Sequence, residues 1–427
     1  MKFKQVKTWI IENPFKAFLF LVLIILSLFL KIHEISAGAG DEFPGSDAWG
    51  YNNNAAEFLN GDKPISSYFN PLETLYLIPV YSIFGQSLFM AKFIQILLSF
   101  LIPFFLYYVT KKYFGESAGY IAASLALIHP FIIYYSAHLW AEFWIIFFLS
   151  LLLFLFVKEL EHNKIRVWKL MLIGVVGAIG ALAKIWFLPL AFLICFFILL
   201  PKFKKNSKFF IDCMKSVGLI LVGILIVIVP WSIYASQTTG YFVFINTNSK
   251  TNLFIGNNPE GEIAYTSKPY NFDYTHNINL KEGNCGELLN QTKGIQNDFY
   301  FKKCAGKYTV NYIITNPGKF TSKMIQFTFK FWAFPNLEYF QRYIRSPSLL
   351  KVALWILWSF ALIGLLISLQ KYKDFLIFYL TILGIWFVHG ISFYLARYKA
   401  GLAPIVIIFA AGGIYTLWLF LFSKNKN

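Results

Sequence analysis

Long apolar stretches separated by short polar ones dominate this chain. Runs such as FKAFLFLVLIILSLFL and VGLILVGILIVIVPW are long enough, as helices, to cross a hydrocarbon core of about 30 Å. A helix satisfies its own backbone polar groups there without water. Hydropathy and the placement of Lys and Arg together predict about ten spans, near residues 15–32, 88–110, 117–136, 142–157, 168–183, 186–200, 213–234, 349–369, 374–395 and 401–422.

Two polar regions interrupt this pattern. Residues 33–87 form a first loop, in which AWGYNNNAAEFLNG predicts a helix stopped at Gly61. The apolar stretch LETLYLIPVYSIFG, over 72–85, is short and carries Pro79, so it reads as a juxtamembrane or re-entrant helix. Residues 235–348 are rich in Asn, Thr, Gly and Lys. Within them NPGKFTSKMIQFTFKFWAFP alternates cationic and aromatic residues at helical spacing, as an amphipathic helix lying on a leaflet would. The expected architecture is all-α and polytopic: a transmembrane module over 1–234 that includes the first loop, an extracytoplasmic α/β or irregular segment over 235–348, and C-terminal membrane helices over 349–427. No internal sequence repeat is evident.

Composition agrees with a membrane location, since 57% hydrophobic, 20% aromatic and only 14% charged residues exceed what a soluble fold could hide. The net charge of +17 would suit nucleic acid in a soluble protein, but here it is first a topology signal. Lys2, Lys4, Lys7, Lys111, Lys112, Lys164, Arg166, the run PKFKKNSK, Lys371, Lys373, Lys424 and Lys426 fall in segments that share one side, the cytoplasm. An even number of spans then puts both termini inside. The first apolar run lacks a clean small-x-small cleavage site and reads as a retained signal anchor. The expected location is a bacterial plasma membrane.

Against this basic background seven of the 21 acidic residues, Glu34, Asp41, Glu42, Asp47, Glu57, Asp62 and Glu73, crowd into positions 34–73. Asp47 precedes Tyr51 by four residues, which places both on one face of a helix beginning near Ser46. Ser46 or Asp47 could equally cap that helix. Low dielectric at a membrane face makes a carboxylate a stronger base, so Asp47, with Asp41 and Glu42 beside it, is the candidate catalytic acid–base group. His138 and Glu142 in AHLWAE are four apart and could share a helical face. Each is a candidate for acceptor or metal binding or a plain interfacial residue, and a divalent metal is a candidate cofactor. Lys184 in GALAKIWFLP, with Arg397 and Lys399 in FYLARYKAGLAPI, lie on the outer side against the general charge bias, where they could anchor at headgroups or hold a phosphate. Cys285 and Cys304 share an outer polar segment and are disulfide candidates, whereas Cys195 and Cys213 read as apolar filler. Neither a P-loop nor a GxGxxG after a strand is present.

In this order the motifs DAWGYNNNAAEFLNG, YFNPLETLYLIPVYSIFG, AHLWAE, GALAKIWFLPL, PWSIYASQTTGYFVFINTNSKTNLFIGNNPEG, NPGKFTSKMIQFTFKFW and ARYKAGLAPI make the chain resemble the GT-C glycosyltransferases that use polyprenyl-phosphate sugars, family 39 in particular. That group includes protein O-mannosyltransferases and aminoarabinose transferases. The resemblance implies a GT-C-like helical bundle, Asp47 with Tyr51 at the base position, Lys184 and Arg397 near the donor phosphate, and an acceptor that is a lipid, glycan or protein. It also implies inverting transfer through an oxocarbenium-like state. Where aminoarabinose relatives carry Lys-Pro-Pro-Leu, this chain has Asn70-Pro71-Leu72, so one expected phosphate contact is missing. Asp41–Glu42 remain a second acid pair. A lipid-linked sugar flippase or transporter is the competing class; its ionisable residues are expected near the bilayer midplane rather than at the mouths of spans.

Overall fold

The computed structural model describes residues 11–36, 46–162, 166–200, 209–257, 306–332, 347–392 and 395–422, and among them it is helical with no strand. The helices are α1 (Pro14–Ser36), α2 (Asp47–Leu59), α3 (Leu72–Phe84), α4 (Leu88–Ser99), α5 (Leu101–Phe114), α6 (Glu116–Ile128), α7 (Pro130–Ser136), α8 (Ala141–Leu160), α9 (Val167–Ala183), α10 (Phe187–Leu199), α11 (Phe209–Thr239), α12 (Ser249–Ile255), α13 (Pro317–Trp332), α14 (Pro347–Ser368), α15 (Tyr372–Ile391) and α16 (Ala403–Phe422). A 3₁₀ turn at Leu369–Lys371 joins α14 to α15, and a longer one at Ala396–Leu402 leads into α16.

Among the described residues six helical stretches are long and apolar enough to cross a membrane, and the bent pair α6–α7 makes a seventh. Over the described residues the ten apolar segments expected from the sequence are largely helical, with a break at His129 in the third. They do not all meet the length of a spanning helix: α9 and α10 have 17 and 13 residues. The stretch Val352–Ile391, by contrast, is 40 residues long and contains both α14 and α15. At 1.5 Å per residue it measures about 60 Å, roughly twice one crossing.

Helix α8 is the axis of the bundle. It is apolar all round, and nearly every side chain from Ala141 to Val157 is buried, against α5, α9, α10 and the Ala396–Leu402 turn. Helix α1 is the opposite case, with Phe15, Phe18, Leu21, Ile25 and Phe29 exposed. Water would not tolerate such a surface; lipid does. Close helix pairs form where glycines meet. A Cβ on Gly174 of α9 would fall on the carbonyl oxygen of Ile220 in α11, and one on Gly223 of α11 on that of Met171. The same reciprocal fit joins α14 and α16, where Gly364 faces Phe409 and Gly413 faces Phe360. Small residues let backbones approach and gain dispersion contacts in lipid, where there is no hydrophobic drive between helices.

At one end of this bundle lie the short helices α2, α3, α12 and α13. Gly61 (φ 77°) ends α2 and Gly85 (φ 68°) ends α3, both in the left-handed region that favours glycine. Two asparagines of α2 tie it down. Asn54 accepts from the Ser66 amide at 2.8 Å and donates to the Ser66 carbonyl at 3.3 Å, while Asn52 accepts from the Tyr81 hydroxyl at 2.7 Å. The end of α11 and the segment after it lie on the same loop: the Ile65 amide donates to the Tyr234 hydroxyl at 2.7 Å, and the Thr247 amide to the Ser67 carbonyl at 2.8 Å. α13 presents Phe327 and Phe331 inward and leaves Ile325 and Phe329 exposed, as its amphipathic pattern predicts.

Candidate functional site

Ser46 resolves the first ambiguity. Its hydroxyl accepts from the Trp49 amide at 3.1 Å and caps α2, which leaves the Asp47 carboxylate free of capping duty. Asp47 instead meets a residue from the far end of the chain: Arg397 Nη2 donates to Asp47 Oδ2 at 2.5 Å. The same guanidinium has its Nε 3.3 Å from Glu142 Oε1, on the first turn of α8. Its Cζ lies 4.5 Å from the centroid of the Trp140 ring, so the cation is flanked by two carboxylates and an aromatic face. Three elements that are remote in sequence thus converge on one point.

Lys184, at the C-terminal cap of α9, joins the cluster. Its ammonium lies 4.6 Å from the centroid of Tyr398, the residue after Arg397, and Tyr398 in turn stacks on His389 of α15 at 4.2 Å. Burial pushes the Lys184 ammonium below the ordinary lysine range; Glu142 and Asp47 oppose that push and Arg397 adds to it. Tyr51 lies beneath Asp47, buried and in edge contact with Phe69 at 5.3 Å. Burial, reinforced by Asp47, raises its phenol well above the usual range, so Tyr51 stays a neutral hydroxyl at working pH.

Other expected site residues lie elsewhere. His138 and Glu142 do not share a helical face, because α8 begins only at Ala141 and His138 sits in the preceding turn. His138 Nε2 instead lies 3.5 Å from Glu34 Oε1 at the end of α1, with its ring 4.3 Å from that of Tyr134. Lys399 belongs to the same 3₁₀ turn as Arg397 and is almost wholly buried. Asp41, Glu42, Cys285 and Cys304 lie outside the described residues, while Cys195 is buried and free as expected of filler. No group of three His, Cys, Asp or Glu side chains among the described residues converges as a metal set.

Two further residues near the cluster have no site role assigned by the sequence pattern. Glu73, on the first turn of α3, is buried and accepts from Trp144 Nε1 at 2.6 Å and Gln95 Nε2 at 3.0 Å. A carboxylate at the start of an apolar helix is the signal that could have marked it, since such a charge is costly unless bonded. Nothing in the spacing of Trp140, within AHLWAE, announces a cation on its face. Asn70, at the departure from Lys-Pro-Pro-Leu, accepts from Asn246 Nδ2 at 2.5 Å and so holds the segment after α11 in place of a cation.

Fold and site together define a polytopic helical membrane protein with a cluster of two acids and two cations at one end of its bundle. Residues 70–234 match the family model described as dolichyl-phosphate-mannose-protein mannosyltransferase. This stretch includes His138, Glu142 and Lys184 but neither Asp47 nor Arg397, and it agrees with the resemblance drawn from the motifs. In structure the chain is similar to ArnT from Cupriavidus metallidurans bound to undecaprenyl phosphate, with a TM-score of 0.42 and 12% identity over 92% of this chain and 77% of that one. Similarity to the apo state of the same protein has a TM-score of 0.41 and 12% identity, over 93% and 78%. No curated protein is significantly similar in sequence.

Proposed function

We propose that the protein is an integral membrane glycosyltransferase that moves a sugar from a polyprenyl-phosphate donor to an acceptor hydroxyl on the extracytoplasmic face, with Asp47 as base. The observation that carries this reading is the meeting of Asp47 with Arg397, 350 positions apart, beside Glu142 and Lys184. An acid that can take a proton and cations that can hold a phosphate are the two things such a transfer needs in one place. The family match over 70–234, to proteins described by a dolichyl-phosphate sugar, supports the donor class.

In this mechanism Asp47 takes the proton of the acceptor hydroxyl as its oxygen attacks the anomeric carbon. The bond from that carbon to the phosphate oxygen breaks, and the polyprenyl phosphate leaves on the opposite side with inversion. Charge balances across the step, because the phosphate gains one negative charge as Asp47 is neutralised. Arg397 and Lys184 stabilise the leaving group, and Tyr51 supports the floor of the site as a neutral hydroxyl. The extracytoplasmic assignment rests on the opposite end of the bundle, which carries Lys111, Lys112, Lys158, Arg166 and Lys169.

Incubating the purified protein with extracted polyprenyl-phosphate sugars and identifying the product by mass spectrometry tests the reading. Transfer of a sugar by the wild-type protein, its loss in Asp47→Asn and retained folding of that variant are the expected results. Near-normal turnover by Asp47→Asn refutes the base assignment. A flippase of lipid-linked sugars is the second reading, and the observation that favours it is Lys31, buried inside the apolar helix α1 with its ammonium on Ser99 Oγ at 2.6 Å. A flippase would move donor across vesicles without forming a new glycosidic bond.

A further inference from the structure

We infer that the Asp47–Arg397–Glu142 cluster is a resting arrangement which the donor's phosphate opens by taking Asp47's place on the guanidinium. The inference rests on the reading of Arg397 as a phosphate ligand. Its basis is the asymmetry of the two carboxylates. The Glu142 side chain is 4% exposed and that of Arg397 12%, whereas the Asp47 side chain is 34% exposed. Of these two carboxylates on Arg397, one is sealed in the protein and the other lies at the open side of the cluster.

Three physical features make the open partner the exchangeable one. The guanidinium lies on the Trp140 ring, which fixes its plane and leaves its N–H edges as the only sites where anions compete. Glu142 reaches the Nε edge from the first turn of the axial helix α8, so it stays in place as a counter-charge. Asp47 reaches Nη2 from the first turn of α2, a short helix outside the bundle axis. The donor's phosphodiester offers two terminal oxygens against the one that Asp47 uses, and its negative charge suits both Arg397 and Lys184.

The exchange couples donor arrival to the activation of the base. While Oδ2 is engaged by Arg397, Asp47 has one oxygen committed and cannot turn toward an acceptor. Once phosphate holds Arg397, both oxygens are available. Without donor, a hydroxyl or a water entering the site meets a carboxylate with one oxygen already held by Arg397. No new covalent step is required.

The test uses the purified full chain in lipid nanodiscs, with undecaprenyl phosphate as probe. Modification of Asp47 by a water-soluble carbodiimide and an amine, quantified by peptide mass spectrometry, should rise several-fold when the probe is added. Unchanged or slower labelling overturns the exchange. Asp47→Asn should bind the probe several-fold more tightly than wild type and gain more than Glu142→Gln; equal or weaker binding by Asp47→Asn also overturns it. Arg397→Ala and, in case that variant does not fold, Arg397→Lys report on the underlying reading. If both fold and bind the probe as wild type does, Arg397 is not a phosphate ligand. If they bind weakly while Asp47 labelling in the wild-type protein stays flat, the exchange alone is wrong.

Discussion

Arg397 is the residue on which the site balances. It neutralises a buried Glu142 and an accessible Asp47 at once, so its removal leaves one carboxylate sealed in the protein without its ion-pair partner. Breaking such a buried pair typically costs about 3–5 kcal/mol. Arg397→Ala is accordingly expected to lower the thermal midpoint by several degrees as well as to weaken donor binding, whereas Arg397→Lys should keep most stability and lose the two-edged geometry. Lys184 gives a pH prediction. Its ammonium is pushed below the ordinary lysine range, and the charged form binds phosphate, so donor affinity should fall as pH rises through a value lower than for an exposed lysine. Lys184→Arg should move that alkaline limb upward; KM measured across pH reads it directly. Asp47, Glu142, Lys184 and Arg397 were all legible in the sequence as polar residues at the mouths of apolar runs. Their pairing was not, because no local spacing links position 47 to position 397. Nor could spacing reveal that His138 and Glu142 part company, since that depends on α8 starting at Ala141.

Elements were more legible than pairs. The helix ended at Gly61, the short Pro79 helix and the amphipathic α13 all lie where the pattern of apolar and polar residues puts them, since each is set by local periodicity and a stop signal. What hydropathy could not convey is how far short of a full crossing α9 and α10 fall, because flanking apolar residues extend the run beyond the helix. The glycine contacts carry a second prediction. Gly174→Val and Gly364→Val each drive a side chain into a facing carbonyl, so α9 and α11, or α14 and α16, must separate. Overpacking of this kind typically costs about 1–3 kcal/mol and more when backbone is the obstacle. Gly218 and Gly384 have open space around a Cβ and are the matched controls; Gly218→Ala and Gly384→Ala should express and melt as wild type. Lys323 pins α13 by donating to Asn257 Oδ1 at 2.8 Å and to the Ser392 carbonyl at 2.8 Å. Lys323→Met should raise hydrogen exchange in α13 without altering exchange in α8.

At the scale of the whole molecule, the distribution of charge divides the bundle into two unlike ends. One end carries lysines paired with exposed acids, Lys111 with Glu116 at 3.2 Å and Lys158 with Glu161 at 3.0 Å, and Arg166 on the buried Glu159 at 3.1 Å. Exposed pairs like the first two contribute little to stability, so their one-sidedness is better explained by topology than by folding. The other end holds the acid–cation cluster, beside α2. If the basic end faces the cytoplasm, the cluster opens to the outer leaflet, where a donor anchored by its lipid tail can bring phosphate to Arg397 without leaving the bilayer. Cysteines placed at Asp62, exposed beside α2, and at Lys112, exposed in the last turn of α5, separate the two orientations in a background freed of the native cysteines. An impermeant maleimide applied to intact cells should label Asp62→Cys at once and Lys112→Cys only after permeabilisation. The reverse order would put the cluster in the cytoplasm, out of reach of an outer-leaflet donor, and the proposed chemistry could not operate there.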